Sequence, residues 1–235
     1  MSMSRMLDPK SAEQEESHWL SVSDLMAGLM MVFLFIAIAL MRDAMLKAAQ
    51  VKDVAVAYQE NQVAIYEALL YEFEQDLDRW DAVIDDESLT FTFQSPDVLF
   101  AVGQVAISDQ YSQLLADFFP RYISVLSNFT DSINEVRIEG HTSSFWNTSV
   151  SESEAYFLNM ALSQGRTRSV LEYVYGLPEV SEFQPWIKQN FAAVGFSSAK
   201  AIIEDDVENE ERSRRVTFRV ITNADIQMRR ILEMD

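Results

Sequence analysis

The chain has no cysteine and only two histidines, His18 and His141, in 235 residues. The first absence excludes disulfides, thiol nucleophiles and cysteine-ligated metal. The second puts a multi-histidine metal site out of reach, and with it most zinc hydrolases. Cations are scarce as well: 18 Lys and Arg face 37 Asp and Glu, a formal net charge of −19. No basic stripe gathers those few, and a duplex repels such a surface, so no nucleic-acid partner is expected. His141 has no nucleophile, metal set or orienting third group beside it in the sequence, so it reads as a strand-end hydrogen-bonding residue and the chain as a non-enzyme. What remains is room for one well-packed domain plus extra segments.

The first such segment is apolar. Trp19 to Met41 (WLSVSDLMAGLMMVFLFIAIALM) contains a single charge, Asp24, and at 1.5 Å per residue its roughly 23 residues make about 34 Å of helix, enough to span a bilayer. Starting the helix after Asp24 would leave about 25 Å, short of a hydrocarbon core about 30 Å thick. Asp24 therefore reads as lying at membrane depth, with Trp19 in the interfacial belt and Arg42 and Lys47 closing the other end. A cleaved signal peptide fits less well, although Ala37-Ile38-Ala39 resembles a cleavage site. The run is too long, and its leader carries Glu13, Glu15 and Glu16 where cations belong. A second alternative makes Ser21, Ser23 and Asp24 N-cap residues of the first helical turn.

An ionised acid at depth costs about 2.5–3.5 kcal/mol unless paired or hydrated. Moving one charge through the membrane potential is worth about 2.3 kcal/mol per 100 mV, so an arriving proton can decide the state of such a group. One helix has no lumen, however, and the rest of any ion path belongs to other chains. Ala27 and Gly28 offer a small-residue face for such neighbours. Charge alone slightly opposes a cytoplasmic N-terminus, because Arg5 and Lys10 precede the helix while Arg42, Lys47 and Lys52 follow it.

From Arg42 to about Ile84 the chain lacks Gly and Pro and is rich in Ala, Glu, Gln and Leu, so it reads as continued helix. Leu69, Phe73, Leu77, Trp80 and Ile84 form one stripe, a packing surface either for the domain or for a second copy; a dimer contact is the favoured reading. Beyond the Asp85–Ser88 break, Leu89–Phe93 alternates as a strand ended by Pro96. A helix is expected over Asp109–Leu126, a strand over Asn134–Glu139, and a helix over Phe157–Tyr175 stopped by Gly176 and Pro178. Strands follow at Phe191–Gly195 and Arg215–Ile221, and a short surface helix over Ala224–Met234. The expected fold class is α+β, a sandwich with helices on one face of a mixed sheet.

One ordered set of motifs carries more. Ile138-Glu-Gly-His-Thr142 is followed by Asn159-Met-Ala-Leu-Ser-Gln-Gly-Arg166, Ser169-Val170 and Tyr173, then by Gly195-Phe196 and Arg214-Arg215-Val216. Together they resemble the OmpA-like peptidoglycan-binding domain over residues 89–222. The resemblance implies a pocket for the diaminopimelate of the wall stem peptide. Its residues would be Asn159, Leu162 and Arg166, with Arg166 taking a ligand carboxylate, Thr142 and Ser143 at the strand end, and Arg214 and Arg215 at the rim. Two departures stand out. Ser143 occupies the position where the family places an Asp for the ligand's ammonium, and a hydroxyl is a weaker partner for a cation. Ser144–Tyr156 is an insertion that brings Glu152 and Glu154, either a candidate for the missing charge. The bland alternative makes Arg166 a surface residue in a solvated salt bridge.

A transmembrane Asp ahead of such a domain is the layout of MotB-type stator subunits, and Ser23-Asp-Leu-Met-Ala-Gly-Leu-Met30 resembles the ZorB-type members of Zorya anti-phage defence systems. That resemblance implies a bacterial inner-membrane, single-pass protein with five segments: a cytoplasmic tail (1–18), the transmembrane helix (19–41), a helical linker (42–88), the periplasmic OmpA-like domain (89–222) and a C-terminal tail helix (223–235). It implies a homodimer inside a ring of five ZorA-like multi-span subunits, peptidoglycan as the anchor, and Asp24 as the ion carrier. No cofactor is implied; the transported ion is H+ by resemblance, with Na+ the alternative. Two further readings stay open: a passive wall tether, and a sensor whose pocket has degenerated at Ser143.

Overall fold

A computed structural model describes residues 9–94 and 99–223. The chain divides into two compact units, residues 1–53 and 54–235. Helix α1, Pro9–Trp80, supplies the regular structure of the first unit. Because α1 begins well before Asp24, Ser23 and Asp24 are interior helix residues and the N-cap alternative fails. The expected Ala224–Met234 helix lies outside the described residues.

In the second unit, residues 54–80 of α1 lead into β1 (Ala82–Asp85) and β2 (Thr90–Phe93). Then come α2 (Asp109–Ser127), β3 (Ile133–His141), α3 (Glu152–Tyr175), a 3-10 turn (Pro178–Phe183), α4 (Gln184–Asn190) and β4 (Phe191–Gly195). A hairpin of β5 (Ile203–Glu204) and β6 (Val207–Glu208), a single turn α5 (Glu210–Ser213) and β7 (Arg215–Thr222) complete it. The main sheet has the order β1-β2-β7-β3-β4. Among the described strands only β3 and β4 pair in parallel, and α3 lies in the connection that parallel pairing requires. The mixed α+β architecture is the one expected.

Alternation decides which face the helices cover. Phe91 on β2 pairs with Phe218 on β7, which pairs with Ile138 on β3, and all three are fully buried. One residue along, Thr92, Thr217 and Glu139 are register partners on the opposite face. Phe73 of α1 and Phe118 of α2 complete the core, with Phe118 5.1 Å from Phe218 and 4.7 Å from Phe91, ring centre to ring centre. Helix α2 starts where Ser108 accepts a hydrogen bond from the Tyr111 amide at 3.0 Å. Arg121 ties α2 to α1, donating from Nε to Glu72 at 2.6 Å and from Nη1 to Asp76 at 2.8 Å while lying over Phe73.

Three expectations need correction here. The helix ends at Trp80, not near Ile84: Asp81 turns the chain at φ 47°, and Ile84 lies on β1. The Asp85–Ser88 break is the β1–β2 turn, where Asp85 accepts from the Ser88 amide at 2.7 Å. The stripe is no dimer surface, because Leu69, Phe73 and Trp80 are buried in the chain's own core. Helix α3 starts at Glu152, five residues before Phe157, because Ser151 caps it and Glu152 and Glu154 complement its N-terminal dipole.

Candidate functional site

Two glycines set the geometry of the pocket. Gly140 and Gly195 are register partners on the parallel strands β3 and β4, where α3 crosses the sheet. A Cβ on Gly140 would stand 2.8 Å from the Ser163 carbonyl oxygen, and one on Gly195 would stand 2.5 Å from the Gln164 amide nitrogen. Hydrogen alone fits under the helix there. The contact brings Asn159, Leu162 and Arg166 of α3 over the C-terminal end of β3. Buried Ser197 locks the arrangement, donating through Oγ to the Tyr156 carbonyl at 2.7 Å and accepting the Thr142 amide on its own carbonyl at 2.9 Å.

The result is a cavity of about 280 Å³. Six of the seven residues expected around it line it: Thr142 and Ser143 at the strand end, Asn159, Leu162 and Arg166 on α3, and Arg214 just past α5. Asn159 is buried and donates from Nδ2 to the Ser143 carbonyl at 3.1 Å, so its amide fixes the loop at the pocket's edge. Arg166 donates from Nε to the Gln104 carbonyl at 2.9 Å and lies 4.8 Å over the Phe100 ring. Among the described residues it meets no carboxylate, so the solvated salt bridge does not form. Burial, then the nearby Arg214, lowers the Arg166 guanidinium to about 10. It remains a cation at neutral pH, with donors left for a ligand anion. Arg214 Nε is buried and has no hydrogen-bond partner among the described residues. Two arginines without counter-ions among the described residues, both facing one cavity, make an anion-receptive wall.

Sequence reasoning missed the opposite walls. Phe100, Val102 and Gly103 come from the loop after β2, Phe145 and Trp146 from the insertion after β3, and Glu210 from α5. Glu152 and Glu154 do not line the cavity; they are exposed in the first turn of α3, so Glu210 is its carboxylate among the described residues. Arg215 also leaves the rim: it donates to the Lys200 and Ser213 carbonyls, both at 3.1 Å. His141 is buried at the end of β3, stacked on Phe196 with 7° between the rings. Burial, then repulsion from Arg215 and Lys200, pushes its imidazole below the ordinary range despite Glu139 alongside. Burial opposes the charge on Glu139, but His141, Lys200 and Arg219 hold its carboxyl below the usual range.

In the first unit, Val22–Lys52 is long and apolar enough to cross a membrane, with a mean hydropathy of 2.4 and no part buried. An apolar surface exposed all round suits lipid rather than water. Asp24 is the acid within its first turns, one turn before Gly28.

No family model matches the chain. It is 52% identical over 222 residues to the Zorya protein ZorB of Escherichia coli strain Crooks, covering 94% of both sequences. This chain belongs to the ZorB family. A MotB-like protein from Desulfovibrio vulgaris has a similar structure, with a TM-score of 0.50, 20% identity, and coverage of 73% of this chain and 94% of that one. The cell wall anchor of the T6SS from Pseudomonas aeruginosa overlaps at a TM-score of 0.45, with 20% identity over 66% of this chain and 97% of its own. Within the ZorB family, this chain thus combines an apolar helix carrying Asp24 in its first turns with a domain of the MotB-like fold.

Proposed function

We propose that this chain is the wall-anchored, ion-carrying stator subunit of an inner-membrane motor that acts in anti-phage defence. The observation that carries the reading is an apolar helix exposed on all sides with one acid, Asp24, in its first turns, in a chain 52% identical to a Zorya protein ZorB. The N-terminus is cytoplasmic and the domain periplasmic, because a wall-binding pocket works only outside; the near-balanced cation count does not outweigh that. Two copies stand inside a ring of five ZorA-like multi-span subunits, whose helices supply the remaining walls of the ion path. Protonation of Asp24 removes an ion that is costly at that depth, and deprotonation restores it. Cycling between those states, with H+ rather than Na+ as the carried ion, turns the ring while the domain holds the wall.

The test is Asp24→Asn in cells carrying the whole system. Phage protection and ion flux should both be lost while membrane insertion and co-sedimentation with peptidoglycan persist. Retained protection with the variant would reduce the chain to a passive tether.

A further inference from the structure

The pocket departs from its family at Ser143, leaving a ligand ammonium without the acid that the resemblance implies. Two arginines alone would favour a simple dianion over an amino acid. The cavity does hold one carboxylate among the described residues, and it comes from a segment far along the chain. Of the acids around the β5–β6 hairpin and α5, Glu204 is already bound to Asn209 and Arg212. Glu208 accepts the Ser144 amide at 2.9 Å and the Ser144 hydroxyl. The Glu210 carbonyl accepts the Arg214 amide at 3.3 Å, but its carboxylate has no hydrogen bond or ion pair among the described residues, and the residue lines the cavity.

Resting on the wall-binding reading, we propose that Glu210 receives the ammonium of a zwitterionic amino-acid head in this pocket, replacing the acid absent at Ser143. Arg166 and Arg214 take the carboxylate of the same head. Phe100, Val102 and Phe145 flank the methylene stem, which needs an apolar wall and no hydrogen bonds. The ligand class stays the one the resemblance implies, the free end of a diaminopimelate side chain; what changes is the residue that meets its ammonium. A glycan offers neither charge, and a lysine side chain lacks the carboxylate.

A cycle that changes the protein acid and the ligand amine together tests this. Full-length chain in detergent is co-sedimented with purified diaminopimelate-type sacculi, either native or with their free amines acetylated. The wild-type chain should bind native sacculi about tenfold or more tightly than acetylated ones, the size of one charge-assisted hydrogen bond. Glu210→Gln should bind both alike, at the weaker level. Adding Ser143→Asp to Glu210→Gln should restore the preference, a rescue that a merely structural role for Glu210 would not give. If Glu210→Gln keeps the full preference while Arg166→Ala loses binding, Glu210 is not the ammonium partner and the wall-binding reading stands. If wild type and Arg166→Ala sediment alike, that reading fails and takes this inference with it.

Discussion

Replacing Gly140 with Ala is the sharpest probe of how the pocket is held. The added methyl would lie 2.8 Å from the Ser163 carbonyl oxygen and 2.8 Å from Thr167 Cγ2. The threonine methyl can rotate away; the carbonyl belongs to the backbone of α3 and moves only with the helix. Overpacking of this kind costs about 1–3 kcal/mol, and for a unit of this size each kcal/mol lowers Tm by about 2–4 °C. The expected shift is thus several degrees, read by tryptophan fluorescence on the purified chain. Lifting α3 by a few tenths of an ångström also draws Asn159 Nδ2 away from the Ser143 carbonyl, now 3.1 Å distant. Peptidoglycan co-sedimentation should therefore weaken more than stability alone explains. Gly176→Ala is the control: its φ is −81° and a Cβ there would meet nothing closer than 3.5 Å, so Tm should stay within about a degree of wild type. Equal melting of Gly140→Ala and Gly176→Ala would refute the close-approach argument.

Arg121→Ala removes charge-assisted hydrogen bonds to Glu72 and Asp76 and the cover over Phe73. It should destabilise the domain by about 2 kcal/mol in urea unfolding, and Arg121→Lys should recover only part of that because an ammonium lacks the planar fork that reaches both carboxylates while covering Phe73. Acid should destabilise the domain through His141. Its imidazole is held below the ordinary value, so the unfolded chain takes up the proton first; this contribution stands in full above about pH 6.5 and is lost as pH falls through it. Glu139, also held low, acts in the same sense at more acidic pH. Tm measured from pH 7.5 to 5 should fall less steeply in His141→Gln than in wild type.

Elements defined by local rules were legible in the sequence. The bounds of β4 agree at Phe191–Gly195, and α2 agrees to one residue because Ser108 and Asp109 write its start and an apolar period of three to four writes its body. The β1 strand was hidden for a specific reason. Ile84 follows Trp80 by four residues and prolongs the helical stripe, while the left-handed turn that breaks it falls on Asp81, with no glycine to announce it. The same ambiguity misassigned the stripe's partner. Leu69, Phe73 and Trp80 want an apolar neighbour, but periodicity does not say whether it belongs to the same chain.

The pocket divides along a similar line. Its α3 wall sits on one helix at fixed spacing, so Asn159, Leu162 and Arg166 converge whenever that helix forms. The Glu210 wall depends on where an excursion from the sheet happens to land. Residues 203–213 include Glu204, Asp205, Asp206, Glu208, Glu210 and Glu211, and in such a run one more Glu carries no signal. They become part of the site because Glu208 binds Ser144 and Ser213 accepts the Ile202 amide at 2.9 Å, folding the hairpin back against the strand end. If that closure carries Glu210 to the cavity, then Glu208→Ala, which touches no ligand, should weaken peptidoglycan binding. Its loss should shrink when Ser143→Asp supplies an acid from the strand itself, measured by the same co-sedimentation. A loss that Ser143→Asp leaves unchanged would mean that the hairpin supports the pocket's shape and not its charge.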